Sequence, residues 1–438
     1  MRRLFLLAVA SALLAGCRAN PPSVEPAHLA NGLTVILRPV SDTSDVALVV
    51  LYSIGEGQDP EGESGLAHLV EHCYVTTAAG ETPARGIQEY TAQYPQGWNA
   101  QTGDDYTVFG CVFPRANLKE ELRDAAARMG DLRIDESDLQ REKPRLFDEL
   151  ANMYGGIPAL AARNLARERV SPSPRGGLKG GIEEQIASLR TPRVRSWWQR
   201  YYKPANATLV LAGDFSAPEA RQLVADCFGG IPAGEPAPPL PDRPEPSLPA
   251  MDTVHVESTA ADAAPAACIA FAAPTPKSDL YAPLLVLAAR LWSRAAELGT
   301  PPAWGPPVAF APLDDPAAIT ISIPLRPGET PEQVIARLQT FVLGVAQPYL
   351  DAADIQAAEG AFGLPLGLVD LPDAALAQNL YGTAFSLGRR AQMGINPAAL
   401  GSALRRMTAD DVGRAANGVF SADDRAAVVV IPDATGKP

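Results

Sequence analysis

The 438-residue sequence predicts an α+β protein built from two homologous domains, and three observations carry that expectation. The length exceeds what a single hydrophobic core usually organises. The segment 232–249 holds so many prolines that it can form neither a helix nor an inner strand, and it suits an extended spacer. A faint repeat also links the two sides of that spacer. Val194 to Val210 and Val412 to Val428, at a constant offset of 218, each read as a helix with a threonine cap signal (Thr191 or Thr408), then a turn, then an apolar strand. The expected divisions are a leader at 1–16, a tether at 17–26, a first domain at 27–231, the spacer at 232–249 and a second domain at 250–434.

The N-terminus reads as an export signal. Arg2 and Arg3 precede an apolar run from Leu4 to Leu14 that is too short to span a membrane. It ends Leu13-Leu14-Ala15-Gly16-Cys17, which resembles a bacterial lipobox, with Cys17 the expected lipidation site and mature N-terminus. Arg18, in place of an aspartate, is similar to the residue that accompanies outer-membrane retention in enterobacterial lipoproteins. The expected location is therefore the outer membrane, facing the periplasm of a Gram-negative cell. Loss of residues 1–16 leaves 35 basic against 50 acidic residues, a formal charge of −15. Such a surface repels nucleic acid and anionic headgroups, so membrane attachment is expected through acyl chains alone. With 47% hydrophobic and 20% charged residues the composition is that of a globular protein.

The chemistry is expected at His68-Leu69-Val70-Glu71-His72. On a helix, His68 and His72 stand one turn apart on one face and can offer two imidazoles to one ion, with Glu71 beside them. Zinc-dependent hydrolysis needs such a set: neutral imidazoles to hold the metal, an open position for water, and a carboxylate to take its proton. The order reverses the commoner His-Glu-x-x-His. Two of the four histidines lie here; the other two, His28 and His255, are expected to be structural or exposed. Downstream, Glu142 and Glu149 fall two turns apart on one predicted helix face, so that one can reach a metal while the other orients a ligand from behind.

With these residues in place the chain resembles the insulinase or pitrilysin-type zinc peptidases, which include the mitochondrial processing peptidases. The resemblance implies that His68, His72 and Glu149 bind one Zn2+ per chain, that Glu71 is the general base, and that Glu142 supports a ligand. Gly97 to Phe109, with Asn99-Ala100-Gln101-Thr102, is similar to the family's edge-strand region, which implies that Asn99 and Ala100 bind an extended peptide substrate. It further implies two mostly antiparallel sheets packed with helices, forming a clamshell around a cavity, with the metal in the first half facing the second. The expected activity is that of a zinc endopeptidase acting on peptides or unfolded segments.

Several features depart from that pattern or stay open. The second-half counterpart of the metal helix, Ser278 to Trp292, has no histidine or glutamate and is expected only to pack. The stretch Leu291 to Trp304 lacks the family's glycine-rich loop and its Arg and Tyr pair, leaving Arg294 as a stand-in. The absence leaves three readings: a related partner chain or, in a homodimer, a second copy supplies the grip, this chain cleaves peptides slowly or with an altered grip, or it is a non-enzymatic scaffold subunit with a vestigial metal site. Losing an oxyanion donor typically costs about two to three decades in turnover. Export also allows a Cys73–Cys111 bridge tying the metal helix to its sheet.

Overall fold

The computed structural model describes residues 26–174, 178–246, 248, 251–257, 264–299, 305–421 and 425–433; the expected leader, Cys17 and the tether up to residue 25 lie outside them. Among the described residues, eleven strands form two sheets. The first contains β1 (Ala27–His28), β2 (Thr34–Pro39), β3 (Asp45–Tyr52), β4 (Trp98–Thr102), β5 (Thr107–Pro114) and β6 (Ala207–Gly213), in the order β1-β2-β6-β3-β5-β4. The second contains β7 (Asp252–Glu257), β8 (Ala266–Ala272), β9 (Val308–Phe310), β10 (Ala318–Pro324) and β11 (Arg425–Asp433), in the order β7-β11-β8-β10-β9. Parallel pairing is confined to β2 with β6 and β7 with β11, so both sheets are mostly antiparallel. Reading β7, β11, β8, β10, β9 against β2, β6, β3, β5, β4 reproduces both order and sense. The two halves therefore share one topology.

The sequence repeat is a structural repeat. Helices Thr191–Tyr201 and Ala409–Val419, and the starts of β6 and β11, are displaced by the same 218 residues. The cap expectation holds at only one of them. Thr408 is an N-cap whose Oγ1 accepts from the Asp411 N–H at 3.3 Å. Thr191 is already inside its helix, because its hydroxyl is committed to Glu136 Oε2 at 2.6 Å.

Strand β3 is buried along almost its whole length instead of alternating. Both faces of its sheet are covered, so both sets of side chains must be apolar. On one face Val46, Leu48, Val50 and Tyr52 pack with Leu66, Leu69 and Tyr74 of the helix Leu66–Thr76. On the other, Ala47, Val49 and Leu51 meet Leu380 and Ala384 of helix Leu380–Met393, which belongs to the second half. The exchange is reciprocal. Helix Pro158–Val170 of the first half lays Ala161, Ala162, Leu165 and Ala166 on Cys268, Ala270, Val428 and Val430 of the second sheet. Each half thus closes the other's core, and small residues let the exchanged helices approach closely.

Residues 232–246 of the proline-rich segment contain no helix or strand and dock against the first half. Asn206 Oδ1 accepts from the Ala237 N–H at 2.9 Å, and Gln58 Nε2 donates to the Pro238 carbonyl at 2.9 Å. Helix Tyr281–Ser293 follows β8 as Leu66–Thr76 follows β3, and all but its last two residues are buried, which is the packing role expected of it. His28 and His255 are both exposed.

The Cys73–Cys111 bridge that export would allow is absent: both thiols are free and buried. They occupy different parts of the same core. Cys73 faces the helix carrying Asp138 and Glu142, whereas Cys111 lies by Tyr94 and Glu121, and burial pushes both thiols well above their ordinary pKa.

Candidate metal centre

The motif segment is a helix, Leu66–Thr76, started by an acid that sequence reading passed over. The buried Asp59 carboxylate accepts from the N–H groups of Gly65 at 2.8 Å and Ala67 at 2.9 Å, satisfying donors that the first helical turn leaves free. The second expected segment is helix Glu136–Ala151, which packs beside the first and carries both Glu142 and Glu149.

Together the two helices gather His68, His72 and Glu149, each offering a ligand atom within 4.8 Å of the others. His68 Nδ1 donates to the Gly180 carbonyl at 3.0 Å, which leaves Nε2 with its lone pair facing the cluster. His72 Nδ1 lies 3.5 Å from Glu142 Oε2 and its Nε2 lies 3.8 Å from Glu149 Oε2. Two neutral imidazole nitrogens and one carboxylate oxygen, each imidazole already oriented from behind, fit the donor set of a hydrolytic zinc site with a fourth position left over.

The surroundings are arranged for positive charge. Burial opposes the charged form of His68, but Glu71, the Gly180 carbonyl, Glu149 and Glu56 together raise its pKa. Glu142 is fully buried, and burial alone would neutralise it. Hydrogen bonding with His72, Thr76 Oγ1 at 2.8 Å and Arg141 Nε at 2.8 Å, together with Arg145 Nη1 at 2.7 Å, more than offsets that and lowers its pKa. It stays a carboxylate behind His72.

Glu71 sits 3.9 Å from His68 Nε2, and its Oε2 accepts from the Thr102 hydroxyl at 2.8 Å. Thr102 belongs to β4, the edge strand of the first sheet. In the β4–β5 ladder, Val112 N–H bonds to the Gly97 carbonyl and Gly103 N–H to the Tyr106 carbonyl, so residues 97, 99, 101 and 103 direct their main-chain groups at β5. Trp98, Ala100 and Thr102 therefore direct theirs outward along the open edge. The expected substrate residues divide accordingly. Ala100 presents main chain to the edge and lines the pocket by the cluster; Asn99 has its main chain committed to Gly110, and its Nδ2 donates to Tyr381 Oη at 3.2 Å on the opposite face of the sheet.

The cluster opens on a cavity of about 210 Å³ lined by His68, Glu71, Thr102, Glu149, Arg167 and Lys179, among other residues of the first half. The second half stands behind it through Asp314, 2.7 Å from Arg167 Nη2. Arg294 is no stand-in for the missing grip. Its guanidinium is held at the surface by Glu297 Oε1 at 2.7 Å and the Gly344 carbonyl at 2.8 Å, while residues 300–304 of that stretch lie outside the described residues. Thr102 and Gly180 were not singled out in advance. Thr102 stood inside the Asn-Ala-x-Thr pattern; Gly180 had no sequence signal, being 112 residues from its partner histidine.

Known proteins resemble this chain in sequence and in fold. The model of the family described as Insulinase (Peptidase family M16) matches residues 34–166, and that of Peptidase M16 inactive domain matches residues 188–359. The chain is 27% identical over 242 residues to the probable zinc protease PqqL of Escherichia coli (strain K12), a stretch that covers 51% of this chain and 25% of that protein. Its fold resembles the crystal structure of a protease from Helicobacter pylori, with a TM-score of 0.76 and 18% identity over 94% of this chain and 100% of that one. It also resembles the periplasmic protease PqqL from Escherichia coli, with a TM-score of 0.70 and 16% identity over 95% of this chain but only 48% of that one. The chain thus spans about half of the solved PqqL chain. With two models of one family matching residues 34–166 and 188–359, this chain belongs to peptidase family M16, the insulinase family.

Proposed function

We propose that this protein is a zinc metalloendopeptidase of the cell envelope, with residues 27–231 as its catalytic unit and 250–434 as a degenerate homologous unit. The observation that carries the reading is the convergence of His68, His72 and Glu149 within 4.8 Å, beside Glu71 and an open strand edge. In this reading those three residues hold one zinc ion, and Glu142 and the Gly180 carbonyl orient the two imidazoles. Bound zinc would supply a Lewis acid for the scissile carbonyl and acidify a water at neutral pH.

The chain's own residues do the rest. An extended peptide pairs with the outward main-chain groups of Trp98, Ala100 and Thr102, which gives affinity with little dependence on side chains. Thr102 donates to Glu71 Oε2 and so fixes the carboxylate. Glu71 takes a proton from the attacking water and returns it to the leaving amine. The small cavity limits substrates to peptides and unfolded segments. Cys17 is read as the lipid anchor, and the name of the periplasmic relative supports the same compartment.

A partner is part of the proposal. Arg294 is held away at the surface, and residues 188–359 match a family model described as inactive, so a second copy or a related chain is expected to supply substrate-gripping groups. Those two observations also support the competing reading, a scaffold subunit with a vestigial metal site. A quenched-peptide assay on the zinc-loaded chain, alone and with candidate partner chains, separates them: chelator-sensitive cleavage supports the peptidase, and zinc binding without cleavage in any combination supports the scaffold.

A further inference from the structure

The carbonyl that faces His68 belongs to a loop held in place by buried charge. Gly180 has φ +97°, a backbone conformation that side-chain-bearing residues rarely adopt, and a Cβ there would come within 2.6 Å of Leu150 Cδ2, so the loop favours glycine at the position whose carbonyl meets the ring. The loop is fastened at three further points. Gly180 N–H donates to Glu56 Oε2 at 2.6 Å, Lys179 N–H donates to Glu168 Oε1 at 3.2 Å, and the Lys179 carbonyl accepts from Tyr154 Oη at 3.0 Å. The Lys179 ammonium lies 3.4 Å from Asp104 Oδ1 and 4.0 Å from Glu56 Oε1.

Glu56 is the unusual member. It is 6% exposed, and its Oε1 has no hydrogen-bond partner, a costly state for a buried carboxylate. Its other oxygen makes the shortest of the bonds that hold the loop, to the N–H of the residue whose carbonyl meets His68. A residue that only filled space here would be less costly as an apolar side chain.

We propose that Glu56 is a positioning residue for the metal centre: by anchoring Gly180 it holds the carbonyl that keeps the proton of neutral His68 on Nδ1 and leaves Nε2 free to bind zinc. The inference rests on the reading of His68 as a ligand, and extends it to a residue outside the motif. Partners behind metal-binding histidines typically contribute about 10–100-fold in affinity.

The test is zinc affinity of the full chain at pH 7.5 by competition with a fluorescent chelator, with the melting temperature of each metal-free variant measured alongside. Glu56→Ala is expected to weaken zinc about 10–100-fold, and Glu56→Gln, which keeps an oxygen for the Gly180 N–H, to recover most of it. Should Glu56→Ala fail to fold, Glu56→Asp decides, because it keeps the charge but withdraws the carboxylate by one methylene. With four histidines in the chain, histidine-selective 15N labelling gives a readout that general loosening would not mimic. At a pH high enough to leave the ring neutral, His68 is expected as the Nδ1–H tautomer in the metal-free wild type and as a tautomer mixture in Glu56→Ala or Glu56→Asp. Unchanged affinity and an unchanged tautomer in a folded variant overturn the proposal. His68→Ala keeps the two claims apart: if it binds zinc as the wild type does, the reading of His68 as a ligand fails as well; if it loses zinc while the Glu56 variants do not, only this inference fails.

Discussion

Tyr381, on a helix of the second half, lies against Gly110 of the first sheet and accepts a hydrogen bond from Asn99 Nδ2 at 3.2 Å. Asn99 and Gly110 are register partners on β4 and β5, so the ring occupies a notch that exists because residue 110 has no side chain. A Cβ at 110 would come within 2.7 Å of Tyr381 Cε2 and 2.9 Å of Val49 Cγ2. The same helix is fixed at its far end by Arg389, whose Nη2 lies 3.1 Å from both oxygens of Asp105. The second half is thereby seated on the strand that borders the metal centre.

That seating predicts a rescue. Gly110→Val should destabilise the chain by about 1–3 kcal/mol, the usual result of overpacking a filled site. Gly110→Val combined with Tyr381→Ala should recover part of the loss, because the clashing ring is gone. Thermal melts of the two single variants and the double variant check this, and additivity of the single effects would mean that Tyr381 and residue 110 do not meet.

The Thr102 side chain is expected to act only through Glu71. Thr102→Val keeps the shape of the side chain and removes the 2.8 Å bond to Oε2, so zinc content should stay at the wild-type level while kcat/KM falls about tenfold. Metal analysis and peptide kinetics on the same preparation measure both quantities.

Lys203 makes a pH-dependent prediction far from the metal. It is buried over the Trp198 ring with its ammonium donating to the Met129 carbonyl, and burial lowers its pKa from 10.5 to about 8. Between those values the unfolded chain holds the proton and the folded chain releases it, so this group's contribution to stability rises with pH across that window. Measured against Lys203→Met, the wild type should gain about 1–2 kcal/mol between pH 7.5 and pH 10. Paired denaturant melts across the range test the sign; a constant difference would contradict it.

How much of this was legible in the sequence follows from the separation of the interacting residues. His68 with His72, and Glu142 with Glu149, stand at helical spacings, so the periodicity of one element places each pair on a face. The offset repeat and the proline-rich segment likewise announced two similar halves. What the sequence did not disclose are contacts between distant segments: Gly180 against His68, Tyr381 against Asn99, and the exchange of helices Pro158–Val170 and Leu380–Met393 between sheets. Ala161, Ala162, Leu165 and Ala166 define an apolar helix face but carry no mark of which sheet it will cover. The Cys73–Cys111 bridge failed for a related reason, since membership in one core does not make two side chains neighbours.

The central claim is that Glu71 moves a proton at a metal held by other residues, and Glu71→Gln tests it most directly. The variant should retain about one zinc per chain, because Glu71 is outside the ligand set, while losing at least two decades of chelator-sensitive peptide cleavage, the scale of a general base. Zinc quantification and a quenched-peptide assay on one sample provide both readings. Wild-type cleavage by zinc-loaded Glu71→Gln would contradict the account.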